Sequence, residues 1–389
     1  MKINIVKAPE IICSNKNSMH NYFGWPSIAR LQDGSLMTVA SGFRIAHVCP
    51  FGKVIVSRSY DEGKSWTAPE VVVDTPLDDR DSGIWKFENK GGCFMKHEIK
   101  GVMPALVTPL NPDGLTLNVS ALRKLIGYQK HIGADGFYIA GATGEGLVLS
   151  LDTRKKLIDE SIQEICKDTL KIVHVADMNF ENTKYLAKYA EAAGADVISA
   201  IPPIYFGYDQ DDIYNYYKEI AAQVKIPLML YYTPAANTVL DTELFLRLLE
   251  IDNVTSVKWT MKDYYKLIEL ITASEGRMTV VNGPDEMLLC GLSAGCAGGI
   301  STTYNVMLPL YKQIYELYKA GNMKSALEVQ KKTDKVVSVL IKYGAIQATK
   351  VVLEYMGFEV GNATFPMKAY SPEIKKQIFK EVLDAGFTY

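Results

Sequence analysis

The sequence predicts an α/β chain in two parts. A (β/α)8 (TIM) barrel with extra C-terminal helices spans residues 95–389, and a small all-β, partial propeller-like segment spans residues 1–94. Three observations carry this reading. The 389 residues exceed the ~150 of one typical domain. Near residue 90 the texture changes from short strands and turns to apolar strands alternating with amphipathic helices. From there the alternation repeats eight times over roughly 220 residues, the count and size of such a barrel.

The elements follow in order. Strands are expected at 35–43, 53–59 and 68–74, separated by Asp-Gly, Pro and Gly turn signals, and ENKGG at 88–92 reads as a polar linker. Barrel strands are expected at 102–109, 136–141, 171–176, 197–203, 227–233, 254–259, 278–283 and 297–302. Helical stretches between them include 119–132, 151–166, 183–193, 211–223 and 242–250. Beyond the eighth strand lie surplus helices at 309–320, 324–340, 345–355 and 372–385. The competing architecture is a doubly wound open sheet, which would want a GxGxxG turn after its first strand, and none is present.

Composition narrows the function classes. Forty-two basic against 44 acidic residues give a net charge of −2, so a polybasic polymer binder is excluded and no nucleic-acid partner is expected. The longest charge-free run, 287–311, has the length of a membrane span. Its four glycines, four Ser/Thr residues, Asn and Pro suit a strand and turns in a soluble core instead. The start, MKINIVKAPEIICSNKNS, has neither an apolar stretch nor a small-residue cleavage site, and a cytoplasmic protein is expected. Six cysteines and five histidines are scattered without CxxC, HxxxH or HExxH spacing. Reduced thiols, no metal and no cofactor are the expectation.

Chemistry in a barrel of this kind sits at the carboxyl ends of the strands. Along 254–260, alternation puts Ser256, Lys258 and Thr260 on one side and Val257 and Trp259 on the other, so Lys258 points into the barrel. Poor solvation disfavours an ammonium and makes a lysine a usable nucleophile for carbonyl carbon. A lysine that snorkels or pairs with an acidic neighbour fits this strand equally well. Along 228–234, Met229, Tyr231 and Thr233 face inward. Tyr231 is either a proton-exchanging phenol or a core tyrosine. The turn Gly141-Ala142-Thr143-Gly144-Glu145-Gly146 could bring backbone N–H groups and the Thr143 hydroxyl to a carboxylate or phosphate. Asp285 and Glu286 open a turn after the seventh strand, as helix-start residues or as acceptors for a polyhydroxylated substrate.

Taken together, GATGE at 141–145, YYTP at 231–234, SVKWT at 256–260, GPDE at 283–286 and GGISTTYN at 298–305 resemble the dihydrodipicolinate synthase/N-acetylneuraminate lyase family. The likeness covers essentially all of 95–389. It implies a class I aldolase acting on 2-oxo acids, usually a homotetramer. Lys258 falls at the family's Schiff-base lysine, Tyr231 at its proton-shuttling tyrosine, and Thr143 in the motif that binds the 2-oxo acid carboxylate. Tyr138 and Tyr205 resemble accessory site tyrosines, Tyr205 at a subunit interface. Ala142 departs from the pattern, since the family has Ser or Thr there, and a relay hydroxyl and a carboxylate contact are lost. Gly283, Asp285, Glu286 and Thr302 resemble the branch that holds the polyol tail of sialic acid. That branch converts sialic acid reversibly to N-acetylmannosamine and pyruvate without a cofactor. Other pyruvate-dependent aldolases, 4-hydroxy-tetrahydrodipicolinate synthase and a non-catalytic sugar- or acid-sensing barrel are the alternatives.

The first part carries its own resemblance. Ser59-Tyr60-Asp61-Glu62-Gly63-Lys64-Ser65-Trp66 matches the Asp-box, SxDxGxxW, of sialidase-type propellers, with FGK at 51–53 and DTPLDDRDSG at 74–83 around it. The Asp-box is structural, and a propeller needs at least ~4 blades. Residues 1–94 offer material for about two, so no sialidase activity is expected.

Overall fold

The computed structural model describes residues 22–30, 34–44, 53–73, 98–236 and 238–389. The chain divides into two compact units, Met1–Phe94 and Met95–Tyr389.

In the first unit, β1 (Tyr22–Arg30), β2 (Leu36–Arg44), β3 (Lys53–Ser59) and β4 (Glu70–Val73) form an antiparallel meander in sequential order. The strand β1 was not expected from the sequence. In β3, Ile55, Ser57 and Ser59 are buried, the period-2 pattern of a half-covered strand. The Asp-box forms the turn after β3. Ser59 Oγ donates to Asp61 Oδ1 (2.8 Å) and accepts from the Gly63 N–H (2.8 Å), while Asp61 accepts from the Ser65 N–H (2.8 Å) and hydroxyl (2.6 Å). The Ser65 hydroxyl and N–H hold the Asp61 carboxyl down at about 2. The Ser59, Asp61 and Ser65 side chains are therefore spent on the turn itself, while Glu62 pairs with Arg30 of β1 (2.6 Å). Among the described residues the unit holds one four-stranded sheet, a single blade rather than two. Residues 51–52, 74–83 and the 88–92 linker lie outside the described residues, as do Cys13, Cys49 and Cys93.

The second unit is the barrel. Its eight strands are β5 (Gly101–Pro104), β6 (Gly136–Ile139), β7 (Leu170–His174), β8 (Val197–Ala200), β9 (Leu228–Tyr232), β10 (Val254–Trp259), β11 (Thr279–Asn282) and β12 (Gly298–Ser301). They form one parallel sheet in the order β5-β12-β11-β10-β9-β8-β7-β6, and an Ala105–Tyr138 bridge joins its ends. The helices around it are α1 (Val119–His131), α2 (Leu151–Glu164), α3 (Phe180–Ala193), α4 (Gln210–Ala221), α5 (Thr242–Leu249), α6 (Tyr264–Ala273), α7 (Leu288–Ala294) and α8 (Tyr304–Lys319). After them come α9 (Met323–Lys342), α10 (Ala345–Tyr355) and α11 (Pro372–Asp384). Side-chain caps start most of them: Asn118, Ser150, Asn179, Asp209, Asp241 and Asp263 each accept from an N–H of the first turn.

Most barrel strands end a residue or two before the sequence suggests, and β5 and β8 end three or more residues early. β8 stops at Ala200 because Pro202 and Pro203 follow and cannot donate to a ladder. After Pro104 the Ala105 and Leu106 N–H groups still reach the Ser301 and Tyr138 carbonyls (3.0 Å each). Further on, Val107 N–H goes to Asn305 Oδ1 (3.3 Å) and Leu110 N–H to the Val360 carbonyl (3.0 Å), and β5 does not continue to 109. α8 begins five residues before the expected 309. Pro309 sits in its early turns, and the non-helical Met307 takes up the resulting kink. The charge-free run 287–311 is α7, β12 and the start of α8. Among the described residues no single helix is long and apolar enough to cross a membrane. The bent pair α9 and α10 has the length and composition of a span, yet Ala326, Leu340, Val352 and Leu353 are buried in the barrel unit's core.

Candidate active site

The inner faces of β6, β7, β9 and β10 converge on one buried cluster. In β10, Trp259 turns outward against Phe245 of α5 (centroids 6.1 Å apart) and Tyr232 (5.0 Å), leaving Lys258 inside at 4% exposure. In β9, Tyr232 takes the outer side and Tyr231 the inner, and the parallel register pairs Tyr231 with Lys258 directly. The Lys258 Nζ stands 4.4 Å from the Tyr231 ring centroid and 4.5 Å from that of Tyr138 on β6. Among the described residues it has no ion pair and no hydrogen bond. The pairing with an acidic neighbour that the strand left open is therefore not what the fold builds. Two π faces hold the Lys258 side chain in place without a polar partner competing for its nitrogen.

Tyr138 meets Tyr231 edge-on (6.0 Å, 81°), and its hydroxyl donates to Ser199 Oγ of β8 (2.9 Å). Burial drives the Tyr138 phenol well above its ordinary value. His174, the last residue of β7, is 2% exposed and stands edge-on to Tyr231 (6.1 Å, 86°). Burial first, then the Arg154 and Lys258 charges, push its imidazole well below 6.5.

Above this cluster lies the turn 141–146. Gly141 is required there, because a Cβ would stand 2.3 Å from the Tyr138 ring. Among the described residues the N–H groups of Ala142, Thr143 and Gly144 take no acceptor. Buried Thr143 shares a 2.7 Å hydrogen bond with Thr302, while Ala142 is exposed. The turn is braced from both sides. Thr108 Oγ1 donates to the Gly144 carbonyl (2.6 Å), and Glu145 is fully buried against Lys350 of α10 (2.6 Å) and the Thr364 N–H (2.5 Å). Asn305 donates to the carbonyls of Thr302 (2.7 Å) and Ala105 (2.6 Å), which fixes Thr302 opposite Thr143. Unpaired amides and two hydroxyls at one place can receive a carboxylate.

After β11 and β12 the expected residues part company. Asp285 accepts from Ser301 Oγ (2.6 Å), the Thr303 N–H (2.7 Å) and Thr303 Oγ1 (2.5 Å). Burial raises its carboxyl against these bonds. Three of about four acceptor sites on a carboxylate are thus filled, leaving one. Glu286 pairs with exposed Lys262 (2.9 Å). Gly283 is pressed on Thr260, where a Cβ would come within 2.0 Å of Oγ1, and its carbonyl accepts from Ser301 (2.6 Å). Tyr205 is not brought to the cluster. It is 84% exposed, has a φ of +84°, and packs edge-on against Phe206 (4.9 Å). Thr302 falls with Thr143 and not with Asp285.

The sequence reading missed His174, Ser199 and the Glu145–Lys350 pair. For His174 the signal was available: one polar residue closing an apolar strand, as with Lys258. Nothing local marks Lys350, 205 residues from Glu145 in the chain. Cys166, Cys290 and Cys296 are free thiols, and among the described residues no three His, Cys, Asp or Glu side chains converge as metal ligands.

Residues 98–385 match the Dihydrodipicolinate synthetase family. N-acetylneuraminate lyase of Clostridium perfringens is 32% identical over 290 residues, 72% of this chain and 100% of that protein. Among solved structures, the Clostridium difficile protein CdNal in complex with mannosamine superposes with a TM-score of 0.71 at 30% identity, covering 74% of this chain and 100% of that one. A catalytic lysine mutant of the Ruminococcus gnavus sialic acid aldolase does so with a TM-score of 0.70 at 28% identity, over 74% and 96%.

Proposed function

The chain belongs to the dihydrodipicolinate synthetase family, and we propose that it is a lysine Schiff-base aldolase that reversibly cleaves N-acetylneuraminate to N-acetylmannosamine and pyruvate. The observation that carries the reading is the buried Lys258, without a polar partner among the described residues and register-matched with Tyr231, in the same barrel as the Thr143–Thr302 hydroxyl pair. Relatives named as N-acetylneuraminate lyases and sialic acid aldolases supply the substrate.

The open-chain sugar places its carboxylate on the 141–146 amides and the two threonine hydroxyls. Lys258 adds to the C2 ketone, and loss of water leaves an iminium. Tyr231, having given its proton to the departing carbinolamine hydroxyl, accepts the C4 hydroxyl proton as the C3–C4 bond breaks. The bonding electrons flow into the iminium, giving an enamine and the aldehyde N-acetylmannosamine. A proton returns to C3, and water hydrolyses the imine to pyruvate and the free amine. Lysine itself is the electron sink, and no cofactor is called on. Glu286, the remaining acceptor site of Asp285 and the Gly283 backbone receive the hydroxylated tail. The protein works as a cytoplasmic homotetramer, with Tyr205 and the exposed Phe206 at a subunit contact.

Incubation with sialic acid should release N-acetylmannosamine and pyruvate in equal amounts. Pyruvate plus borohydride should label Lys258 irreversibly, and Lys258→Ala should lose labelling and turnover together. Labelling at another lysine would sink the mechanism. Labelling without sialic acid cleavage would leave a pyruvate aldolase of different aldehyde preference.

A further inference from the structure

We propose that His174 is a positioning residue: an imidazole that ties the ends of two barrel strands together, backs the Tyr138 ring on which Gly141 rests, and thereby holds the carboxylate-binding turn in place. The inference rests on the aldolase reading and assigns a role to a residue that the reading does not use.

The geometry is that of a cross-brace. His174 ends β7, and Arg154 of α2, wholly buried, anchors that end by donating to the carbonyls of His174 (2.8 Å) and Ala176 (2.8 Å). The ring reaches sideways to β8, where Nε2 accepts from the Ile201 N–H (3.3 Å). That amide directly precedes Pro202 and Pro203, past the end of the ladder. An acceptor at Nε2 fixes the neutral tautomer with its proton on Nδ1. Nδ1 is buried with no hydrogen bond among the described residues, and on the β6 side the ring packs on Tyr138 (6.3 Å), the ring against which Gly141 is pressed. Ala140 has a φ of +57° and leads straight into Gly141. The imidazole thus joins the tails of β7 and β8 and supports Tyr138 of β6, which carries Gly141 at the start of the turn.

No apolar residue could do this. The site asks for a flat group that accepts from the Ile201 N–H while packing tilted against Tyr138 (6.3 Å) and edge-on against Tyr231 (6.1 Å). It must also stay uncharged. The charged and titratable groups facing the ring are Lys258, Arg154, Tyr138 and Tyr231. Protonation would place a second cation beside the Lys258 amine and abolish the acceptor for Ile201. A brace of this type acts on how well the turn is held, so its loss should weaken capture of the carboxylate and spare the imine chemistry.

The test is borohydride trapping of pyruvate at Lys258, measured as a function of pyruvate concentration in the wild type, His174→Phe and His174→Gln. Phenylalanine fills the space without hydrogen bonding, whereas glutamine is long enough to accept from Ile201. His174→Phe should raise the pyruvate concentration for half-maximal trapping about tenfold or more, which corresponds to ~1.4 kcal/mol, with the trapping rate at saturation within about threefold. His174→Gln should recover most of the shift. Half-saturation within about twofold of wild type in His174→Phe, or a Gln variant as impaired as Phe, would overturn the proposal. Should the Phe variant not fold, His174→Asn, too short to reach Ile201, replaces it against Gln with the same two outcomes. Wild-type protein that pyruvate does not label would overturn the aldolase reading first and this inference with it.

Discussion

At the scale of single residues, the site is a matter of which polar groups are left uncommitted. Among the described residues Lys258 has no hydrogen-bond or ion-pair partner and the Tyr231 hydroxyl no hydrogen bond, whereas Asp285 is nearly saturated. Tyr231→Phe should therefore keep borohydride labelling while slowing sialic acid cleavage by about 10²–10⁴, the range of general acid–base assistance. Thr302→Val should raise the half-saturating concentration of both pyruvate and sialic acid, because its hydroxyl is bonded to Thr143. An effect on sialic acid alone would return Thr302 to the sugar-tail group where its motif suggested it. His174 also predicts a pH effect on stability. Its folded-state proton affinity is depressed below 6.5, so the unfolded chain binds a proton that the folded one refuses. Stability is then full above that value and declines as the pH falls beneath it, by up to ~1.4 kcal/mol per pH unit. Urea titrations between pH 7.5 and pH 5 should show this slope in the wild type and its loss in His174→Gln. Lys258 and Tyr231 were legible in the sequence because strand alternation fixes a side, and side is all that these two roles need. The partners of Asp285 were not, since alternation says nothing about which neighbour fills an acceptor.

At the scale of elements, every barrel strand was visible as a short apolar run, and the errors sit at the ends. The sequence extends a strand for as long as residues stay apolar, while the ladder stops where amides find other acceptors, as Val107 does with Asn305 and Leu110 with Val360. The fold's least legible device is also a long-range one. Glu145 and Lys350 join the 141–146 turn to α10, both fully buried, and Lys350 also donates to the Asn362 carbonyl (3.0 Å). Burial lowers the Lys350 ammonium, with Glu145 opposing that shift. Removing one partner of such a pair strands a charge in the interior and typically costs ~3–5 kcal/mol. Lys350→Met should lower stability by about that much in urea denaturation and raise the half-saturating pyruvate concentration as Glu145 relaxes. The double variant Glu145→Gln, Lys350→Met should recover much of the stability, because no lone charge remains. A double variant no better than the single one would mean that the pair contributes through packing and not through charge.

At the scale of the whole chain, the two units differ in what they can do alone. The barrel's sheet is joined end to end through Ala105 and Tyr138, its core is continuous, and every residue given a chemical role lies within it. The N-terminal unit, among its described residues, is one open four-stranded meander whose Asp-box Ser59, Asp61 and Ser65 side chains are consumed by their own turn. One open sheet has two edges, and a propeller removes them only by repetition around an axis. Val71 and Val72 on its last strand are exposed, a further reason to expect association rather than a closed catalytic fold. A chain beginning at Met95 should accordingly retain the kcat and KM of the full chain for sialic acid and be at least as soluble. The full chain should release no sialic acid from a fluorogenic sialoside. Glycosidase activity that disappears on truncation would give the N-terminal unit a chemistry that its turn geometry does not suggest. Loss of lyase activity on truncation would make residues 1–94 part of the working barrel, and the division at Met95 would then mark a fold boundary but not a functional one.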